Sequence, residues 1–195
     1  MHPFHNKIKN HQFCLGTAIS LVDPSVCEAL ASDVDFLWID QEHSSISLET
    51  LKTHLMGLKG SEVASLVRVP WNDAVRIKPV LDLGADGIIV PMVQTAADVE
   101  RAVSACRYPP LGERGFGPLR PLDYGRGTRC NFATTPMKMS WWWPRWSRLR
   151  RSTILMPFWR WRGSPALRSA PWIYRRRWGI AVSQATRMYW PQSGM

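Results

Sequence analysis

The stretch Phe36-Leu37-Trp38-Ile39-Asp40-Gln41-Glu42-His43 decides how the chain is read. Its apolar start shows no polar alternation and suits a strand buried on both faces, as in parallel sheets covered by helices. The run ends in Asp40, Glu42 and His43. Burying these three titratable groups in a plain core is costly, so a strand that ends this way points them into a cleft, with His43 the foremost candidate for chemistry. The competing reading is a solvated turn that starts the next helix, for which Ser44 to Ser47 supply a cap.

Similar units lie on either side. Upstream, Phe13 to Ser20 reads as a strand in which Gly16 permits close packing, and Asp23-Pro24-Ser25 opens a short helix from Val26 to Ala31. Downstream, Leu48, Leu51, Leu55 and Leu58 share one face of a helix that Gly57 and Gly60 end. Ala64 to Val69 forms the next strand, and Asn72-Asp73 caps a helix from Ala74 to Leu83 that stops at Gly84. Gly87 to Val93 is rich in β-branched residues, and Thr95 caps a helix from Ala96 to Cys106. Four βα units in series predict an α/β fold with a parallel sheet or barrel, a flavodoxin-like open sheet being the rival topology.

Beyond Cys106, the segment from Arg107 to Pro118 has too many Pro and Gly residues for a helix. Gly115 and Gly117 let backbone approach a ligand, and Arg107 and Arg114 suit bidentate contact with a carboxylate; a plain surface loop is the other reading. No strand-GxGxxG-helix or P-loop pattern points to a nucleotide.

The 195 residues suffice for one domain with a real core, yet fall short of the ~250 typical of a complete eight-stranded α/β barrel. No apolar run approaches the ~18 residues of a membrane span, and the His-, Lys- and Asn-rich start is unlike a secretory signal, so a cytoplasmic protein is expected. Cys14, Cys27, Cys106 and Cys130 fit neither a zinc pattern nor a disulfide scaffold and read as reduced, core-type thiols.

The net charge of +10 conceals a division. Residues 1–130 hold all 15 acidic residues against thirteen Lys and Arg, whereas residues 131–195 hold twelve Lys and Arg and no acid, together with nine of the 11 tryptophans. The two parts obey different compositional rules.

Taken together, Ile39-Asp40-Gln41-Glu42-His43, Val67-Arg68-Val69-Pro70-Trp71-Asn72-Asp73, Leu81-Asp82-Leu83-Gly84, Val90-Pro91-Met92-Val93-Gln94 and Arg107-Tyr108-Pro109-Pro110-Leu111-Gly112-Glu113-Arg114-Gly115 resemble the HpcH/HpaI aldolases, over roughly Phe13 to Phe132. The resemblance implies a (β/α)8 TIM barrel, usually hexameric, that cleaves 2-keto-3-deoxy or 4-hydroxy-2-oxo acids to pyruvate and an aldehyde. It implies His43 as the base for the aldol proton, Asp82 as the acid that raises its basicity, and Arg68 as the group that stabilises the enolate. Asp40, Glu42 and Arg114 would bind substrate or support these groups. It also implies a divalent Mg, Mn or Co ion acting as a Lewis acid. The chemistry agrees independently, since retro-aldol cleavage needs a base of near-neutral pKa and positive charge at the nascent enolate oxygen.

The family's metal ligands, a Glu in a pattern like Val-Gln-Ile-Glu and an Asp in a pattern like Gly-Pro-x-Asp-Leu-Ser, are missing from this chain. Trp and Met have single codons, so the tail can be partly read back into nucleotides. Joining the last base of each codon to the first two of the next turns Trp141-Trp142-Trp143-Pro144 into Val-Val-Ala without choice, and continuing through Ser147 permits Gln-Val-Glu. The same shift lets Pro157 to Ser164 read Ile-Leu-Ala-Val-Glu-Gly-Ile, and Ser169 to Gly179 read Gly-Pro-Met-Asp-Leu-Ser-Ala-Ser-Met-Gly. Both missing motifs reappear.

The expected organisation is therefore an aldolase half over residues 1–132, an incomplete barrel of about four βα units, followed by an out-of-frame, irregular tail over 133–195 that begins near Ala133 to Pro136. Such a chain is expected to leave its first and fourth strands with open edges, to bind no metal and to be inactive. The rival function is a non-enzymatic nucleic-acid- or membrane-binding protein using Trp141-Trp142-Trp143 and Arg175-Arg176-Arg177. Against it, the arginines keep no amphipathic period and prolines interrupt the tail repeatedly, so neither nucleic acid nor membrane is the expected partner.

Overall fold

A computed structural model describes residues 3–126 together with the backbone of Ile154–Pro157 and Arg187–Met188. Helix α1 (Pro3–Lys9) is followed by β1 (Cys14–Ile19), α2 (Ser25–Leu30), β2 (Phe36–Asp40), α3 (Leu48–Gly57), β3 (Ala64–Arg68), α4 (Ala74–Asp82), β4 (Gly87–Val90) and α5 (Ala96–Cys106). Local chemistry sets the helix starts. Ser47 accepts from the Thr50 N–H, Asp73 from the Val75 N–H, and Thr95 and Asp98 form a reciprocal capping box. Gly84, at φ 87°, supplies the left-handed residue that stops α4.

The four strands β1 to β4 are parallel neighbours in sequence order. Alternation divides their side chains between two faces. Leu37, Ile39, Val67, Ile88 and Val90 join one buried cluster with Cys27 of α2, Leu51 and Leu55 of α3, Ile77 and Val80 of α4, and Ala102 and Ala105 of α5. The opposite face presents Cys14, Phe36, Ala64, Leu66 and Ile89, which pack with Phe4 and Ile8 of α1. Sequential strand order with every crossover helix on one face is the winding of a barrel. A doubly wound sheet would reverse its order and place helices on both sides, so the flavodoxin-like alternative is excluded.

Helix α1 had no signal in the residue pattern, because a short segment carrying His5, Lys7 and Lys9 looks polar. It is nonetheless anchored by Phe4, whose ring centroid lies 5.3 Å from that of Phe36. Leu48 departs from the predicted apolar face of α3 and is exposed, whereas Leu51, Leu55 and Leu58 are buried.

The outer edges correct a further expectation. Rather than standing open, β4 pairs antiparallel with β5 (Ile154–Pro157), and β1 with β6 (Arg187–Met188). Backbone N–H and C=O groups on a free edge accept extended chain of almost any sequence, so poor patterning in the tail did not prevent the pairing. The remaining tail expectations, Cys130 and the Trp and Arg clusters among them, fall outside the described residues. Among the described residues no helix is long and apolar enough to cross a membrane.

Candidate active site

Asp40 and Arg68 are the last residues of adjacent parallel strands and are register partners, so their side chains leave the same face at the carboxyl end of the sheet. The guanidinium meets the carboxylate as a fork, with Nε donating to Oδ1 at 2.8 Å and Nη2 to Oδ2 at 2.5 Å. Arg68 Nη1 also lies 2.9 Å from Glu42 Oε2. Trp38, two residues before Asp40 on the same face, underlies the cation, its ring centroid 5.3 Å from the guanidinium carbon.

Asp40 also builds the turn that leaves the strand. Its Oδ1 accepts from the N–H groups of Glu42 at 2.9 Å and His43 at 3.3 Å, and its carbonyl accepts from the Ser44 hydroxyl. Burial works to raise the Asp40 carboxyl. Arg68's hydrogen bonds, the Glu42 N–H, the guanidinium charge and the His43 N–H together outweigh it and hold the group below its ordinary value.

His43 follows this turn with its imidazole 67% exposed, Nε2 standing 3.7 Å from Glu42 Oε2. That separation is too long for a hydrogen bond and close enough for an ion pair once the ring is protonated. The cluster thus joins a partly buried guanidinium, two largely buried carboxylates and an imidazole facing solvent. Neither the plain core nor the wholly solvated turn describes it.

Two expected members lie elsewhere. Asp82 ends α4, and because α4 returns from the carboxyl end of β3 to the amino end of β4, Asp82 sits at the opposite end of the sheet from His43. Its Oδ1 accepts from Arg114 Nη2 at 2.5 Å. Within this chain Glu42, not Asp82, is the carboxylate beside the histidine. Arg114 lies at the same far end, where the loop after α5 begins; its side chain is fully buried and lies 4.7 Å from the Tyr108 ring centroid. It pairs there with Asp82 and does not join the Arg68 cluster within this chain. The same segment sends Arg120 back to the Leu55 and Leu83 carbonyls, at 2.6 Å and 2.8 Å, where it satisfies the ends of α3 and α4.

Met92 was not foreseen. It follows β4 at φ 57°, a left-handed conformation unusual for a long side chain, and the strand stops at Val90 instead of running to Val93. Met is not a turn-forming residue, so nothing in its type announced this bend at the carboxyl end of the sheet.

Register-paired Asp40 and Arg68 at parallel strand ends, with His43 adjacent, lie at the end of the sheet where barrel enzymes carry their chemistry. The sequence profile of the HpcH/HpaI aldolase/citrate lyase family matches residues 19–156, and the chain belongs to that family of carbon–carbon lyases. It is 42% identical over 113 residues to 4-hydroxy-2-oxovalerate aldolase of Novosphingobium aromaticivorans, covering 57% of this chain and 43% of that protein. It is 36% identical over 136 residues to hydroxypyruvate/pyruvate aldolase of Roseobacter denitrificans, covering 69% and 53%. Among solved structures, the HpcH/HpaI aldolase from Desulfitobacterium hafniense superposes with a TM-score of 0.61 at 28% identity, over 66% of this chain and 51% of that one. The chain spans about half the length of the curated relatives it matches. These neighbours have the TIM-barrel architecture of the aldolase family, of which the described residues supply four βα units.

Proposed function

We propose that the chain carries the proton-transfer half of a class II pyruvate aldolase acting on a 4-hydroxy-2-oxo or 2-keto-3-deoxy acid. His43 accepts the proton of the 4-hydroxyl as the C3–C4 bond opens to an aldehyde. The electron pair of that bond becomes the C2–C3 double bond of an enolate, and the negative charge settles on the C2 oxygen. Arg68 retains two N–H groups beyond those facing Asp40 and Glu42, and these receive that oxygen. The proton held by His43 returns through water to C3, which gives pyruvate and restores the neutral imidazole. Asp40 and Glu42 hold the guanidinium in place. The observation that carries this reading is the placement of a solvent-facing His43 beside the Arg68 cluster at the carboxyl ends of β2 and β3. Assembly into a homo-oligomer belongs to the same reading.

The proposal includes the reading frame. Residues 133–195 are an out-of-frame translation following the loss of one nucleotide, supported by the compositional break and by the aldolase-like motifs its codons permit. The 195-residue chain is accordingly expected to show little or no turnover. Restoring one nucleotide near codons 133–136 and assaying pyruvate release with added Mg²⁺ or Mn²⁺ tests both parts. Turnover is expected in the restored chain, with a loss of about 10²–10⁴ on His43→Ala. An inactive restored chain, or a His43→Ala variant of unchanged rate, refutes the catalytic reading. Metal-dependent turnover by the unrestored chain refutes the expected inactivity. Steeply salt-dependent DNA binding without aldolase turnover would instead favour the basic-tail alternative.

A further inference from the structure

Several carboxylates at the carboxyl end of the sheet already have partners. Asp23 accepts from Ser25, Asp73 from the Val75 N–H, and Asp98 from Thr95 and the Gln94 N–H. Asp40 and Glu42 face the Arg68 guanidinium, Asp40 through both oxygens. Among the described residues no three His, Cys, Asp or Glu side chains converge as a metal site. The rest of the chain cannot make up the deficit by composition, since residues 127–195 contain no Asp, Glu or His and only Cys130 as a softer ligand. A hard divalent cation takes six or so oxygen donors and relies on carboxylates for charge, so the donor set does not fit the ion that the family resemblance implies.

We infer that in this chain Asp40 and Glu42 serve the Arg68 guanidinium and not a divalent metal, so that the ion-pair triad at the carboxyl ends of β2 and β3 provides no metal site of its own. A metal ion approaching Asp40 would have to displace a fork of hydrogen bonds and then stand beside a fixed positive charge. Among the described residues no group of three His, Cys, Asp or Glu side chains is placed to offset that cost. The inference needs only the geometry of the triad and the composition of the chain. It does not depend on which keto acid the aldolase reading assigns.

The probe is Mn²⁺ alone, counted by the electron paramagnetic resonance of the free ion in the presence of the full 195-residue chain. At equimolar ion and chain near 100 μM, less than about a tenth of the Mn²⁺ is expected to be bound. One Mn²⁺ held per chain, and lost in Asp40→Asn/Glu42→Gln, overturns the inference. Hydrogen exchange on the same sample shows whether β2 and β3 are formed. Unprotected amides there also overturn it, because the triad would not exist in solution. The frame-restored chain separates this inference from the functional one: failure of that chain to bind Mn²⁺ counts against the class II aldolase reading and leaves the triad untouched.

Discussion

Replacing Arg68 by Met tests whether the strand-end triad is held together as described. The substitution keeps an unbranched apolar stem over Trp38 and removes the charge that faces two carboxylates. The side chains of Arg68, Asp40 and Glu42 are 19%, 11% and 15% exposed, so the carboxylates are left close together and largely shielded from water. Breaking a fully buried pair costs ~3–5 kcal/mol, and residual solvent access lowers the expectation to about 2–4 kcal/mol. For a unit of this size that is a fall in Tm of roughly 8–15 °C. The pH dependence has a definite sign. Asp40 is held below its ordinary value in the native chain, so its contribution is present above the usual carboxylate range near ~3.9 and is lost as pH falls through the lower folded value. In Arg68→Met, burial acts unopposed by the guanidinium and raises the carboxyl, so protonation relieves the variant. Urea unfolding followed by far-ultraviolet circular dichroism should therefore show the gap between the two proteins widest near about pH 7 and narrower near about pH 4. A difference below about 0.5 kcal/mol at neutral pH, or one that does not narrow in acid, would refute the reasoning.

Three further outcomes follow from packing and burial. Gly16→Ala places a Cβ 2.3 Å from the buried Phe36 ring and should destabilise by ~1–3 kcal/mol in urea, most of which Phe36→Leu in the same chain should restore; independent effects would count against the contact. Asp82→Asn leaves the wholly buried Arg114 side chain without its carboxylate partner and should cost about 3 kcal/mol by the same measurement, whereas a purely surface role would cost under about 0.5 kcal/mol. Burial raises the Cys14 and Cys27 thiols to about 11 and Cys106 to about 12, so iodoacetamide near pH 8 should label none of the three until denaturant is added, and rapid native labelling would contradict their burial.

The elements that were legible in the sequence are those whose signal is local. An apolar run such as Leu37 to Ile39, closed by a capping residue such as Ser47, Asp73 or Thr95, carries its own evidence, and the observed boundaries fall within a few residues of those expected. Helix α1 was hidden because its value lies in two residues, Phe4 and Ile8, that fill the inner face of a sheet built far along the chain. The bend at Met92 was hidden because strand-like residues continue through Val93 while the backbone turns away after Val90. Edge pairing by β5 and β6 escaped prediction because it draws on backbone groups that every sequence has.

The site divides along the same line. Asp40, Glu42 and His43 lie within four positions of one another, and Arg68 enters their cluster because parallel register aligns the ends of β2 and β3. Such proximity is inherited from the fold and can be anticipated once the strands are recognised. Asp82 and Arg114 meet each other for a comparable reason, since both lie at the end of the sheet to which the returning helices α4 and α5 deliver the chain. A βα unit can put a residue at a chosen end, but it cannot bring residues from opposite ends into contact without another chain or a further segment. A carboxylate beside His43 within this chain must therefore come from the carboxyl end of the sheet, and Glu42 is the one whose Oε2 stands 3.7 Å from the histidine's Nε2. Its other neighbour is Arg68 Nη1, so the group that holds the guanidinium in place also sets the charge next to the imidazole. One carboxylate oxygen thus lies next to both groups that the proposed reaction uses, the imidazole and the guanidinium.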